Sequence, residues 1–215
     1  MDKSDEASSR AELASAYRQC ASIGLNELAS GNLSCRLGGG MLISPTGATA
    51  ETISPEAFVY MSLEGEWTGP VRPSTEWRMH AAIYQRHPKA KAIVHTHSDY
   101  CVAVACHGAL PGFHYLVGSF GGNDVPCVPY STFGSPKLAE DAADALTERS
   151  ACLLGSHGMI CRGPDLGAAV ALAHRLEIMC RQYLLARALG EPYLLTAEEW
   201  RAFFDKAREV RYGRI

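Results

Sequence analysis

The sequence lacks an excess of basic residues, a long apolar run and an apolar leader at its start. Lysine and arginine number 20 against 23 aspartates and glutamates, whereas a nucleic-acid binder concentrates positive charge on its surface. Its apolar runs are short and broken by polar residues, so none is long enough to cross a bilayer. The first residues are polar and acidic, unlike a signal peptide. We therefore expect a cytoplasmic protein with no nucleic-acid partner and no membrane contact.

The sequence also lacks paired cysteines, internal repeats and low-complexity segments. Its eight cysteines include no C-x-x-C pair, and their neighbours are mostly apolar or small, which indicates buried free thiols in a reducing compartment. A cysteine nucleophile or a thiolate-bound metal is therefore not expected. With 215 residues, of which 47% are hydrophobic, the chain can form a sufficient core, and we expect one domain spanning residues 1–215.

No nucleotide-binding motif of the type G-x-x-x-x-G-K-[ST] or G-x-G-x-x-G is present, which argues against ATP or NAD. Three loops are instead rich in serine, threonine, glycine and asparagine, at residues 30–32, 44–47 and 74–75. Taken singly, each is typical of a plain turn or helix cap. Together they offer hydroxyls and backbone N–H groups to a phosphate, and they favour a small phosphorylated substrate.

Apolar periodicity predicts an alternation of helices and strands. Helices are predicted at residues 10–29, 74–88, 98–106, 135–149, 165–188 and from 196 onwards. Strands are predicted at residues 33–37, 41–44, 57–63, 90–95, 125–128, 151–154 and 158–161. Because the two types of element follow no regular βαβ period, we expect an α/β sheet with helices on both faces.

Two histidines lie two residues apart at the end of a predicted strand, His95 and His97. Strand alternation points both to the same side, where imidazoles can chelate one zinc ion or a similar divalent cation. His157, in a glycine-containing turn between two apolar strands, is the leading candidate for a third ligand. The alternative is that such histidines are ordinary core or surface residues. Four further histidines are assigned to that class: His80, His87, His107 and His174.

Glu76 is the candidate for the position that three histidines leave open on a tetrahedral cation. Its carboxylate could bind the cation in the free enzyme and transfer a proton once substrate displaces it. The alternative is an ordinary glutamate in the first turn of a helix, where the helix dipole stabilises it.

Several of these motifs together resemble one known family. The motifs occur in the order and spacing of the class II aldolase/adducin family: Ser30-Gly31-Asn32-Leu33-Ser34, Ser44-Pro45-Thr46-Gly47, Ser74-Thr75-Glu76, His95-Thr96-His97 and His157-Gly158. The resemblance covers nearly the whole chain and is closest to the L-fuculose-1-phosphate aldolase members. Further shared segments are Pro73-Ser74-Thr75-Glu76-Trp77-Arg78, His114-Tyr115, Gly121-Gly122-Asn123 and Pro129-Tyr130-Ser131-Thr132-Phe133-Gly134.

This resemblance implies a site and a reaction. It implies one zinc ion per subunit, or another divalent ion, bound by His95, His97, His157 and Glu76, with Glu76 as the acid/base. The implied substrate-phosphate ligands are Asn32, Thr46, Gly47, Ser74 and Thr75. The implied reaction is retro-aldol cleavage of a ketose 1-phosphate to dihydroxyacetone phosphate and an aldehyde.

The resemblance also implies an assembly and an architecture. The expected assembly is a cyclic homotetramer with active sites at subunit interfaces. Tyr115 from a neighbouring subunit would act near the aldehyde, and Tyr212 matches a second tyrosine in the C-terminal tail. The implied fold is a central, mainly antiparallel β-sheet flanked by helices on both faces.

Three alternatives within the same fold remain open. A sugar-phosphate 4-epimerase carries aspartate at the position of Glu76, and a methylthioribulose-1-phosphate dehydratase matches less well around Glu76 and residues 130–134. A non-enzymatic adducin-like scaffold would have broken histidine ligands, whereas this chain retains all three. The sugar is not fixed by the sequence, because a group of methylene size changes discrimination by only about 1–3 kcal/mol. L-fuculose 1-phosphate, L-ribulose 1-phosphate and 5-deoxy or 5-methylthio pentulose 1-phosphates all remain candidates.

Overall fold

The apolar segments of the chain form a seven-stranded sheet in a computed structural model that describes residues 3–210. The strands are β1 (Asn32–Leu37), β2 (Gly40–Ile43), β3 (Val59–Ser62), β4 (Ala92–Thr96), β5 (Cys127–Val128), β6 (Ala151–Leu154) and β7 (Gly158–Gly163). The helices are α1 (Lys3–Ser22), α2 (Trp77–Arg86), α3 (Asp99–Ala105), α4 (Pro136–Ala145), α5 (Leu166–Ala188) and α6 (Ala197–Glu209). Two short 3-10 helices span Pro55–Ala57 and Tyr115–Phe120.

The strand order across the sheet is β3-β2-β1-β4-β7-β6-β5. Neighbouring strands are antiparallel except for β5 and β6, which run parallel. This confirms the expected mainly antiparallel sheet. Strand β4 lies at its centre, between β1 and β7, so that residues at the end of β4 are enclosed from both sides.

Helices cover both faces of the sheet, as expected, because each strand alternates its side chains between two separate cores. On β4, Ala92 and Val94 pack into a core shared with α1, α3 and α5. Ile93 faces the opposite way, into a second core shared with α2 and α4. His95 continues the face of Ile93, and it therefore points toward α2.

The bounds of three helices differ from those predicted. Helix α1 begins before residue 10 and ends at Ser22, because Gly24 takes a positive φ of 75° and the N–H of Leu25 returns to the carbonyl of Cys20. Helix α4 ends at Ala145, not at residue 149. Helix α2 begins at Trp77, so Glu76 precedes the first turn instead of belonging to it. Within residues 3–210, no helix has the length and apolar character needed to span a membrane.

The last helix packs on the 3-10 segment 115–120 through aromatic rings. Thr196 and Glu199 form a reciprocal capping box at the start of α6, as predicted. Phe203 contacts the ring of Tyr115 with centroids 5.8 Å apart. The ring of Phe203 also lies against Gly118, where a Cβ atom would come within 2.2 Å of it. Helix α6 thereby holds the segment that carries Tyr115.

Candidate metal and active site

Three imidazoles converge at the end of strand β4 and the start of strand β7. The Nε2 atom of His97 lies 2.9 Å from Nε2 of His95 and 3.0 Å from Nε2 of His157. His95 and His97 share a face because they are two residues apart at the end of β4. His157 reaches them from the turn between β6 and β7, where Ser156 takes a left-handed φ of 51°. The structure therefore brings together the three histidines that the sequence singles out.

A backbone hydrogen bond orients His95. Its Nδ1–H donates to the carbonyl of Met159 over 2.8 Å, on the strand paired with β4. With that proton on Nδ1, the neutral ring presents the lone pair of Nε2 to His97 and Glu76. Metal-binding histidines in proteins commonly donate their second ring N–H to a backbone carbonyl in this way.

Glu76 faces the histidines from the start of helix α2. Its Oε2 atom lies 3.0 Å from Nε2 of His95, and its Oε1 atom lies 3.2 Å from Nε2 of His157. Glu76 is buried, and its side chain makes no capping hydrogen bond to α2. The carboxylate is therefore directed at the imidazoles rather than at its own helix.

These four side chains fit a divalent cation. Their ligand atoms all lie within 4.8 Å of one another, and ligands of a tetrahedral zinc ion are about 3.3 Å apart. Lone pairs on Oε2 of Glu76 and Nε2 of His95 face each other, an arrangement that needs a positive charge between them. Oε1 of Glu76 is buried and accepts no hydrogen bond from the described residues. Three imidazoles and one carboxylate form a donor set typical of zinc and similar ions.

The electrostatics of the four groups agree with this arrangement. Burial alone would raise the pKa of Glu76, but His95 and His157 hold that pKa well below its usual range. Burial opposes the charge on His95, yet Glu76 raises the pKa of His95 overall. Burial, together with His95 and His157, lowers the pKa of His97 to about 4. Glu76 is thus ionised and a positive charge is favoured beside it.

A cavity of about 340 Å³ opens in front of this cluster. It brings together Glu76, His97 and His157 with all five predicted phosphate ligands, Asn32, Thr46, Gly47, Ser74 and Thr75. Thr46, Gly47 and Thr75 are exposed, whereas Asn32 and Ser74 are buried. The three polar loops recognised in the sequence therefore line one cavity, and their role in binding phosphate stays a prediction.

Tyr115, one of the two predicted tyrosines, does not line this cavity in a single chain. Tyr115 is 47% exposed, stacks on the ring of His114 with centroids 4.7 Å apart, and is absent from the residues that line the cavity. Tyr212 lies outside the described residues.

Two groups of residues near the site were given no role from the sequence. The first is the rim formed by Tyr130, Ser131 and Phe133; these residues belong to a segment that matched the family, but no spacing rule indicated where their side chains lie. The second is a buried set behind Glu76 that includes His80, which hydrogen-bonds to Asn32. The sequence alone indicates an ordinary core residue at His80. Its spacing of four residues from Glu76 is the signal that points to a shared side of the helix.

Comparisons with known proteins give one consistent result. The family model described as "Class II Aldolase and Adducin N-terminal domain" matches residues 11–184. A 5-methylthioribulose-1-phosphate/5-deoxyribulose-1-phosphate aldolase of Rhodospirillum rubrum is 43% identical over 195 residues, covering 90% of this chain and 88% of the relative. An L-fuculose phosphate aldolase of Escherichia coli K12 is 40% identical over 178 residues, covering 82% of this chain and 83% of the relative.

The fold comparison agrees with the sequence comparison. A solved structure of an L-fuculose 1-phosphate aldolase superposes with a TM-score of 0.89 at 32% identity. The superposition covers 97% of this chain and 98% of the other. The similarity therefore extends over the whole sheet and the helices that carry the cluster.

Proposed function

The chain belongs to the class II aldolase and adducin family, and we propose that it cleaves a ketose 1-phosphate to dihydroxyacetone phosphate and an aldehyde. The observation that carries this proposal is the group of Glu76, His95, His97 and His157 beside a cavity lined by hydroxyl and glycine loops. A scaffold protein has no need for four intact ligand atoms held within 4.8 Å.

We assign zinc to the four-residue cluster, one ion per subunit. When bound, the cation would supply the positive charge that stabilises negative charge developing next to the cleaved bond. The residues that would hold it are His95, His97 and His157, with Glu76 as the ligand that substrate displaces. The carbonyl of Met159 supports this assignment, because it fixes His95 in the tautomer that exposes Nε2.

Glu76 is assigned the proton transfer at C3 of the substrate. In cleavage, the C4 hydroxyl loses its proton, the electron pair of the C3–C4 bond passes to C3, and C3 then gains a proton. In the reverse direction Glu76 removes that proton from C3, a role that suits an ionised carboxylate, and microscopic reversibility makes it the donor in cleavage. Its low pKa in the structure keeps it ionised for this purpose.

The polar loops are assigned the substrate phosphate. Thr46, Gly47 and Thr75 present hydroxyl and backbone groups at the exposed side of the cavity, and Asn32 and Ser74 lie deeper. Such loops bind phosphate through short hydrogen bonds without needing a nucleotide. The phosphate would anchor C1, which directs C3 and C4 toward Glu76.

We further propose a homotetramer in which Tyr115 of the partner subunit exchanges the proton at the C4 oxygen. As a phenol it donates that proton to the aldehyde oxygen in condensation, and as the resulting phenolate it takes the proton back from the C4 hydroxyl in cleavage. This assignment is compatible with the position of Tyr115, which is half exposed and outside the cavity of its own chain. Tyr212 is proposed as a second aldehyde-side residue on the basis of the family resemblance alone. We also propose a cytoplasmic location, since all eight cysteines lie within the described residues and are free.

The test of the proposed function is a panel of ketose 1-phosphates assayed for release of dihydroxyacetone phosphate. The panel contains L-fuculose 1-phosphate, L-ribulose 1-phosphate and the 5-deoxy and 5-methylthio pentulose 1-phosphates, with and without chelator. We expect release that chelator abolishes and added zinc restores. Glu76→Gln should slow release by about a hundredfold or more, as loss of an acid/base does.

A matched control is Glu140→Gln, which makes the same change on the exposed side of helix α4. It should leave the rate unchanged, and circular dichroism should show that both variants are folded at the assay temperature. If the zinc-loaded protein released dihydroxyacetone phosphate from no member of the panel, the aldolase proposal would be wrong, and 4-epimerase or dehydratase products should be measured next.

A further inference from the structure

A continuous chain of buried hydrogen bonds extends from Glu76 away from the cavity. Asn32 Nδ2 donates to Oε2 of Glu76 over 3.0 Å, and Asn32 Oδ1 lies 2.5 Å from Nε2 of His80. On the other side of the ring, Nδ1 of His80 lies 2.7 Å from Oγ of Ser34. Ser34 Oγ in turn lies 2.9 Å from the hydroxyl of Tyr84. The five residues thus connect the catalytic carboxylate to the core.

Secondary structure explains why these residues meet. Glu76 directly precedes α2, and His80 and Tyr84 follow within the helix at intervals of four residues, so the three side chains share one side of the helix. Asn32 and Ser34 are spaced by two on β1, so they share one face of the sheet. Asn32 is also paired with His95 in the sheet register. The helix face lies on the strand face, and the polar groups alternate between the two.

The carboxylate fixes the direction of every hydrogen bond in the chain. An ionised Glu76 can only accept, so Asn32 must present its amino group to Oε2 and its carbonyl oxygen to His80. That oxygen can only accept, so His80 carries its proton on Nε2 and accepts at Nδ1 from the hydroxyl of Ser34. Ser34 then accepts from Tyr84. Every donor therefore points toward Glu76. With Glu76 ionised and His80 neutral, no other placement of the protons satisfies all four hydrogen bonds.

The two titratable side chains behind Glu76, His80 and Tyr84, are held in their neutral forms. His80 has no exposed surface, and burial, with a smaller effect of His95, lowers the pKa of His80 to about 3. Burial also raises the pKa of Tyr84 well above its usual value. Both side chains therefore stay neutral at ordinary pH, which keeps the hydrogen bonds behind Glu76 in one direction.

We propose that His80 is a positioning residue of the reaction, which acts through Asn32 to hold Oε2 of Glu76 in place. This rests on the proposed function of Glu76. The amide of Asn32 has a second N–H that takes no part in these hydrogen bonds, so Asn32 can still reach a substrate phosphate. The alternative is that His80 only fills the core, in which case any side chain of suitable volume would serve.

Two substitutions at His80 separate these roles. His80→Phe keeps an aromatic ring but removes both hydrogen bonds, which leaves Asn32 free to turn its amide away from Glu76. His80→Gln offers an amino donor to Asn32 and a carbonyl acceptor to Ser34, so it preserves the direction of the chain. A purely structural role predicts that the aromatic replacement works better than the amide.

The first experiment measures the tautomer of His80 in the metal-free protein by ¹⁵N NMR. Protonated and unprotonated nitrogens of a neutral imidazole have well-separated chemical shifts. We expect the proton on Nε2, and a proton on Nδ1 would overturn the proposal. This readout does not depend on catalysis, so it is valid whether or not the aldolase proposal holds.

The second experiment measures dihydroxyacetone phosphate release by the zinc-loaded variants. His80→Phe should lower kcat by about ten- to a hundredfold with little change in KM, as loss of a residue that orients a catalytic group does. His80→Gln should recover most of the rate. The matched control is His87→Phe, which removes a hydrogen bond to Ala143 at the end of the same helix and should leave kcat unchanged.

Each outcome decides the proposal. An unchanged kcat in His80→Phe, or equal losses in the Phe and Gln variants at matched folded fractions, would overturn it. If Glu76→Gln retained full activity while the tautomer was as expected, the proposed function of Glu76 would be wrong but the hydrogen-bond chain would stand.

Discussion

Glu76 is a buried carboxylate whose charge is compensated by its neighbours. An unpaired buried charge is very costly, and here the imidazoles of His95 and His157 lie within 3.2 Å of the carboxylate oxygens. Without a cation, a proton shared with His95 supplies the compensating charge, in line with the raised pKa of His95. The same geometry that lowers the pKa of Glu76 therefore creates the attraction for a metal ion.

His80 should make the stability of the metal-free protein depend on pH. Its pKa is about 3 in the folded protein against an ordinary 6.5, so between these values the unfolded chain binds a proton that the folded protein excludes. The free energy of unfolding should therefore fall as the pH is lowered below 6.5, by about 1.4 kcal/mol per pH unit from this group. Above pH 6.5 the contribution is constant.

The measurement compares urea unfolding of the unmodified protein and His80→Gln at pH 7.5 and pH 5, both free of metal. Glutamine does not titrate, so the difference in unfolding free energy between the two proteins should shift by about 2 kcal/mol between these pH values. Groups common to both proteins cancel. A difference that stays constant with pH would mean that His80 does not keep its neutral form when folded.

The four residues of the cluster could be predicted from the sequence, whereas the hydrogen bonds behind Glu76 could not. His95 and His97 could be assigned to one site because strand alternation fixes their common side. His157 is 60 residues away from His97 in the chain, and the glycine turn and the family resemblance were needed to select it. No role could be predicted for His80, because a buried histidine on a helix is usually an ordinary core residue. Its partners Asn32 and Ser34 lie far from it in the sequence, on strand β1.

At the scale of elements, the pairing of β4 with β7 holds the proposed metal ligands in register. Gly158 begins β7, and a Cβ atom there would lie 2.3 Å from the carbonyl oxygen of Thr96 and 3.2 Å from the ring of His97. Gly158→Ala should therefore push the strands apart. We expect a loss of about 2 kcal/mol or more in unfolding free energy, and weaker zinc binding in a titration against a competing chelator.

Gly39→Ala is the matched control for this change. Gly39 lies in the turn between β1 and β2, and a Cβ atom there would meet no heavy atom within 4 Å. This variant should keep both its stability and its zinc affinity. Equal zinc affinities in the two variants would show that the register of β4 and β7 does not control the site.

Most helices and strands could be predicted, and the error at the start of α2 arises where a side chain makes a local hydrogen bond. The hydroxyl residues before α2 resemble helix caps, so the helix was expected to include residues 74–76. In the structure Ser74 Oγ instead accepts from the N–H of Glu76 and forms a separate turn, and α2 begins at Trp77. This turn directs the carboxylate of Glu76 at the histidines, a consequence of tertiary packing that local sequence signals do not contain.

At the scale of the whole molecule, one chain brings the cluster and the three polar loops to one cavity, whereas Tyr115, the proposed aldehyde-side residue, does not line it. The mainly antiparallel sheet with helices on both faces was predicted and is confirmed, because that architecture follows from the family resemblance and from strand alternation. The position of Tyr115 outside its own cavity agrees with the role on a neighbouring subunit that the family resemblance implies. Helix and strand patterns alone do not specify which chain completes the site.

A mixing experiment tests whether the active site is shared between subunits. Glu76→Gln and Tyr115→Phe proteins, each expected to be slow alone, are unfolded together in equal amounts and refolded. If a site combines Glu76 of one subunit with Tyr115 of the partner subunit, about a quarter of the sites in a randomly mixed tetramer should have both intact residues. Release of dihydroxyacetone phosphate should then rise well above the average of the two parents.

The result separates a shared site from one formed within a single chain, provided that light scattering gives the mass of a tetramer for the mixture. If both residues acted in the same chain, every subunit of the mixture would carry one defect, and the rate would equal the average of the parents. A Tyr115→Phe protein with full activity on its own would remove Tyr115 from the mechanism. A rise in the mixture would instead require the neighbouring subunit for catalysis, because no single chain in it carries both intact residues.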